Sequence, residues 1–161
     1  MNLQTKKILV TGSGGFVGSH LVETLLNIGY DVKCMVRYNS KNDIGLLSEI
    51  PKRLLRNSEI IYGDLRDYDA INHIVKDVDV IFHLGALIAI PYSYKCPKND
   101  IDTNVLGTFN ILNAARNSSI DKIIHTSTSE VYGTAFTYPL MKNIHCKDNH
   151  LIQQAKLVQT K

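Results

Sequence analysis

Cysteine is scarce and scattered: Cys34, Cys96 and Cys146 are the three in a chain of 161 residues. An odd, widely spaced set suggests neither a disulfide framework nor a zinc ribbon, and points to a reduced, cytoplasmic compartment. An excess of charge of one sign is also missing. Eighteen Lys and Arg against fifteen Asp and Glu leave a net charge of +3, dispersed along the chain, which argues against a nucleic-acid footprint or a polybasic membrane anchor. No apolar run approaches the roughly 18 residues of a membrane span, and the polar residues 1–7 carry no visible signal peptide. Internal repeats and low-complexity segments are absent, and the length suits one domain with a sizeable core.

What is present begins at Thr11, where T-G-S-G-G-F-V-G-S-H follows the apolar run Ile8, Leu9 and Val10. A strand, a glycine-rich turn and then an amphipathic run (Val17, Leu21, Val22, Leu25, Leu26) form the phosphate cradle of a dinucleotide-binding βαβ unit. Gly12 allows a tight turn out of the strand, Gly15 lets backbone N–H groups approach a pyrophosphate, and Gly18 lets the helix pack close on the strand. The positive end of the helix then faces the anion.

Strand-like and helix-like stretches alternate after this point. Strands are expected at 7–10, 31–36, 59–62, 78–83 and 122–126, and helices at about 15–28, 44–55, 68–75 and 100–117. That alternation predicts an α/β, Rossmann-like, doubly wound parallel sheet. With right-handed crossovers the strand order is 3-2-1-4-5, with the ligand crevice at the C-terminal ends of the strands.

Five motifs fall at those strand ends: the glycines Gly12, Gly15 and Gly18; G-D-L-R-D from Gly63; H-L-G-A from His83; T-N-V-L-G-T from Thr103; and T-S-T-S-E-V-Y-G from Thr126. In this order they resemble the extended short-chain dehydrogenase/reductase family of NAD-dependent nucleotide-sugar epimerases and dehydratases, over residues 7–135. The resemblance implies that Asp64 accepts a hydrogen bond from the adenine amino group while Leu65 packs on the ring, and that Leu84 and Ala86 line the nicotinamide side. Phe16 and Val17, between the second and third glycines, complete the cofactor-binding set. A turn residue or helix cap before Tyr68 is the competing reading of Asp64. Asn104 resembles the family's buried asparagine that holds backbone groups near the active site, against a solvated helix residue on sequence alone. Ile90 to Ser93 resemble the loop beside the sugar, so Ser93 is a candidate substrate contact; an ordinary surface loop is the alternative.

Thr128, Ser129 and Glu130 bear on the reaction. The resemblance implies that the Thr128 hydroxyl hydrogen-bonds the sugar 4-hydroxyl. Sugar-nucleotide 4,6-dehydratases place an acid where Glu130 stands, whereas epimerases usually have small neutral residues there. A 4-keto group acidifies the C5 proton, which a carboxylate can remove while water leaves C6. Ser129 occupies a position that is acidic in some dehydratases. The bland alternative is that these residues merely end the fifth strand.

Strand two ends in Arg37 rather than the acid that grips a ribose 2′-hydroxyl. Arginine stacks on adenine and pairs with a 2′-phosphate, a physical lean toward NADP that leaves both NAD and NADP open. The expected partner is a nucleotide-diphosphate sugar, with no nucleic acid or membrane involved.

Beyond Ala135 the resemblance stops, and residues 136–161 read as an aberrant tail. The family's Tyr-x-x-x-Lys pair should follow; Tyr138 and Lys142 have that spacing but lie too close to Thr128, and Pro139 cannot sit inside the helix that would align them. His145, Cys146 and His150 are too irregular for a metal site, so none is expected. Written back into codons of suitable wobble and read from the third base, residues 137–161 yield a segment containing Y-S-A-S-K, like the catalytic segment of a 4,6-dehydratase. Its tyrosine codon straddles Leu151 and Ile152, and its lysine codon straddles Ala155 and Lys156. The expectation is a 4,6-dehydratase half translated out of frame after about Ala135, without a substrate domain, inactive alone and without the family's homodimer. The competing classes are 4-epimerase ancestry and a non-catalytic dinucleotide-binding module.

Overall fold

A computed structural model describes residues 6–128, and the structural statements below concern those residues. Ser129, Glu130, Tyr138, Lys142, His145, Cys146 and His150 lie outside them. Five parallel strands, β1 (Lys7–Thr11), β2 (Asp31–Arg37), β3 (Ser58–Gly63), β4 (Val80–His83) and β5 (Lys122–His125), form one sheet in the order 3-2-1-4-5. This is the expected order. β1 lies at the centre, with Val10 opposite Cys34 on one side and Phe82 on the other.

Both faces of the sheet are covered, which is why the strands read as continuous apolar runs. On one face Ile8, Val10, Val32, Cys34 and Val36 pack against Val22, Leu25 and Leu26 of α1 (Phe16–Ile28) and against Leu47 and Ile50. On the other, Leu9, Met35 and Ile81 meet Ile71 and Ile74 of α3 (Tyr68–Ile74) and Ile111 and Ala114 of α6 (Gly107–Arg116). α1 ends where Gly29 takes a left-handed conformation and its N–H returns to the carbonyls of Leu25 and Leu26.

Three segments depart from the sequence-based expectation. The helix expected over 44–55 is a 3₁₀ turn, Gly45–Glu49, followed by the single turn α2, Lys52–Leu55. Pro51 causes the break: it pushes Ile50 into an extended conformation with ψ 135°. The supposed loop at Ile90 is a helix, α4 (Ile90–Lys95), with proline near its start. Finally, the helix expected from 100 begins earlier, as α5 (Pro97–Ile101), and reaches α6 through a π turn over Asp102–Leu106. Such turns insert one extra residue and often mark functional positions. Asn104 sits inside this one.

Candidate cofactor site

The glycine turn is built by close backbone approach. Gly12 has φ 68°, and a Cβ on it would stand 2.8 Å from the Gly85 nitrogen, so the chain leaving β1 touches the chain leaving β4. A Cβ on Gly18 would stand 2.2 Å from the Gly12 carbonyl oxygen, which seats α1 directly on the turn. Ser13 ties the turn to β2, its buried hydroxyl donating to the Met35 carbonyl at 2.8 Å.

The start of α1 carries no side-chain cap at Gly15 and no acid in its first turn. Its first N–H groups therefore have no intrahelical acceptor and concentrate positive potential at the end of a 13-residue helix. The side chains of Phe16 and Val17 are exposed. A cleft of about 510 Å³ opens here, lined among others by Gly12, Gly15, Arg37, Asp43, Leu84 and Ala86. A second cleft of about 360 Å³, sharing Gly12, Arg37, Gly85 and Ala86, is lined also by Asp64, Leu65 and Asn99. Both open at the C-terminal ends of the strands.

Asp64 is a turn residue: it accepts the Arg66 N–H at 3.0 Å and the Arg66 guanidinium Nε at 2.9 Å. These hydrogen bonds from Arg66 hold its carboxyl below the usual carboxylate range, with further help from the charge of Arg37. The cap of α3 is Asp67, which accepts from the Ala70 N–H. Arg66 reaches on to Asn99 Oδ1 at 2.6 Å, bridging the turn after β3 to α5. Sequence reasoning missed this bridge, and only the i, i+2 spacing of Asp64 and Arg66 hinted at it. Leu65 is buried in the core, its backbone pressed close enough to α6 that Asn110 donates to its carbonyl at 2.9 Å.

Behind the clefts runs a buried polar chain. Thr108 donates to the Asn104 carbonyl at 2.8 Å and sits 3.0 Å from His83 Nε2. With the Thr108 proton spent, His83 Nε2–H donates to Thr108, and Nδ1, 2.8 Å from Thr11 Oγ1, accepts the Thr11 proton. Thr11 in turn accepts the Gly85 N–H at 3.0 Å. Asn104 is fully buried; its Oδ1 accepts the Leu87 N–H at 2.8 Å, and its Nδ2 donates to the Leu87 carbonyl and to Asp100 Oδ1, each at 2.9 Å. It therefore holds the Leu87 backbone beside the cleft.

Thr128 is half-buried, three residues past β5. Ser93 lies on α4 with its side chain buried and its hydroxyl donating to the Ile90 carbonyl at 2.8 Å. No group of His, Cys, Asp and Glu suited to a metal ion is found among the described residues, and no helix there is long and apolar enough to cross a membrane.

The sequence profile described as GDP-mannose 4,6 dehydratase matches residues 9–159. The chain belongs to this family. A family relative, UDP-N-acetyl-alpha-D-glucosaminuronate decarboxylase of Bacillus cytotoxicus, is 36% identical over 128 residues, 80% of this chain and 38% of its own. The solved UDP-N-acetylglucosamine 4-epimerase of Methanobrevibacter ruminantium, in complex with UDP-N-acetylmuramic acid, superposes with a TM-score of 0.82 at 30% identity, covering 96% of this chain and 48% of that one. The UDP-glucose 4-epimerase of Bifidobacterium longum, in complex with NAD+ and UDP, gives 0.81 at 26% identity, with 96% and 47% coverage. This GDP-mannose 4,6 dehydratase family member thus spans less than half the length of these relatives. It is a nucleotide-sugar dehydratase/epimerase family chain with a Rossmann-like fold.

Proposed function

We propose that this chain is the NAD(P)-binding half of a nucleotide-sugar 4,6-dehydratase, reading out of frame after about Ala135 and inactive as it stands. The observation that carries the cofactor reading is the uncapped start of α1, seated on the Gly12 turn and opening into the two adjoining clefts. A pyrophosphate suits those free N–H groups. Adenine suits the cleft of Asp64 and Leu65, and the nicotinamide suits Leu84 and Ala86. The solved relative in complex with NAD+ and UDP supports NAD(P) as the cofactor class.

The glycine turn, Asp64, Leu65, Leu84 and Ala86 would hold the nicotinamide cofactor, which would supply reversible hydride transfer with the sugar. Two of the chain's own residues contribute beside it. Thr128 holds the 4-hydroxyl, and Glu130 removes the C5 proton as water leaves C6. Glu130 carries the choice of dehydratase over epimerase. The Tyr-Lys pair belongs to the restored reading frame.

Genomic DNA across Ala135 tests the frame: reading one frame over should encode a Y-S-A-S-K-like segment with coding sequence beyond it, and its absence refutes the frame break. The restored protein, given UDP-, GDP- or CDP-hexoses and NAD(P), should release a 4-keto-6-deoxy sugar, whereas the present chain should not turn over. A second reading, 4-epimerase ancestry, is favoured by the two solved epimerases above. It predicts inversion at C4 with the C6 hydroxyl retained.

A further inference from the structure

The cofactor cleft contains a carboxylate that sequence reasoning did not assign. Asp43 lines it together with the glycine turn, Arg37 and Gly45. Its position is held from both sides. Asn39 Oδ1 accepts the N–H groups of Lys41 and Asp43 at 3.1 and 2.9 Å, and Asn39 Nδ2 donates to the Asp43 carbonyl at 2.7 Å. Between them Asn42 adopts a left-handed φ of 50°, with the Tyr62 hydroxyl donating to its carbonyl at 3.0 Å. On the far side, Asp43 Oδ1 accepts the Gly45 N–H at 2.8 Å. Gly45 in turn sits against the phosphate turn: a Cβ there would stand 2.4 Å from the Gly14 oxygen, and the Leu46 N–H donates to that same oxygen at 3.0 Å.

The result is a fixed carboxylate beside the glycine turn that forms no ion pair among the described residues. Oδ1 is engaged by backbone, which leaves Oδ2 as an acceptor. Arg37, the other charged group of this cleft, also lines the neighbouring one with Asp64 and Leu65, and its charge acts on Asp64. Arg37 thus borders both clefts, within reach of the end lined by Asp64 and Leu65, and arginine stacks on aromatic faces.

We propose that Asp43 reads the ribose 2′-hydroxyl and selects NAD over NADP, with Arg37 serving the adenine of either nucleotide. A carboxylate accepts a hydrogen bond from a hydroxyl and repels a 2′-phosphate of like charge. The inference rests on the cofactor-binding reading above, and it overturns the lean toward NADP drawn from Arg37.

Calorimetric titration of the full 161-residue chain with NAD and with NADP tests it. Wild type should bind NAD more tightly. Asp43→Asn keeps the acceptor for the Gly45 N–H but removes the charge, and should cost about tenfold in NAD affinity while NADP affinity holds or rises. Asp43→Ser provides a second variant, with thermal unfolding confirming that each is folded. Arg37→Ala should weaken both nucleotides alike. An unchanged NAD to NADP ratio in the folded Asp43 variants, or a loss confined to NADP in Arg37→Ala, overturns the proposal and leaves the cofactor site standing. Binding of neither nucleotide by wild type overturns both.

Discussion

Replacing Asn104 by aspartate changes one atom and should unseat the backbone beside the cleft. The Nδ2 that donates to the Leu87 carbonyl and to Asp100 Oδ1, each at 2.9 Å, becomes an oxygen facing two other oxygens. The site is fully buried, so an ionised side chain there loses its solvation while facing two oxygens, a situation that costs about 3 to 5 kcal/mol. For a chain of this size that lowers the melting temperature by roughly 10 °C. Burial and the facing oxygens raise the folded-state pKa of the new carboxyl above its ordinary ~3.9. Folding then favours the protonated form, so the deficit is full above the folded pKa and shrinks as pH falls through it, because a carboxyl proton restores one donor. Urea unfolding of both proteins at pH 5, 6, 7 and 8 reads this directly. The reasoning fails if the variant matches wild type at pH 8, or if the difference between them is the same at every pH.

Gly18→Ala should destabilise despite alanine's better helix propensity, because the new Cβ meets the Gly12 carbonyl at 2.2 Å; a loss of about 2 kcal/mol in urea unfolding is expected, and Gly15→Ala, whose Cβ would stand 3.3 Å from the same atom, should cost less. Cys34 is buried and its thiol is pushed up to about 11, chiefly by that burial; iodoacetamide at pH 8 should modify it only after unfolding, as peptide mapping would show. Arg66→Ala should let Asp64 titrate closer to an ordinary carboxylate, visible in the carbon-13 shift of its carboxyl. Since the Arg66 hydrogen bonds lower that pKa in the folded state, their contribution is present above the unfolded value of about 3.9 and vanishes as pH falls through the folded one, so the two proteins should converge in stability in acid.

The sheet was legible because its inner strands β1 and β2 are buried on two faces and therefore appear as apolar runs punctuated by turns. The cradle was legible because Gly12 and Gly18 answer a steric demand that no other residue meets. The departures have physical causes of other kinds. Pro51 interrupts an otherwise apolar helical pattern, and its effect on Ile50 outweighs that pattern. A π turn adds one residue without changing composition, so the register at Asn104 was invisible. Asp67 rather than Asp64 caps α3, a choice between two carboxylates three residues apart that depends on backbone geometry. The Arg66 to Asn99 bridge joins residues 33 positions apart, and the knot around Asn39 is made of side-chain to backbone bonds that leave no periodic trace.

The meeting of Gly12 with Gly85 has a consequence for how the chain acquires its site. β3, β2 and β1 are neighbours made entirely from the first 63 residues, so they can assemble as soon as that length has left the ribosome. The seam to β4 joins segments more than seventy residues apart in sequence, as the Thr11 to Gly85 contact records. Both clefts lie across that seam. Nucleotide capture by a growing chain would therefore time the docking of β4, giving a kinetic marker for the moment the two halves of the sheet close.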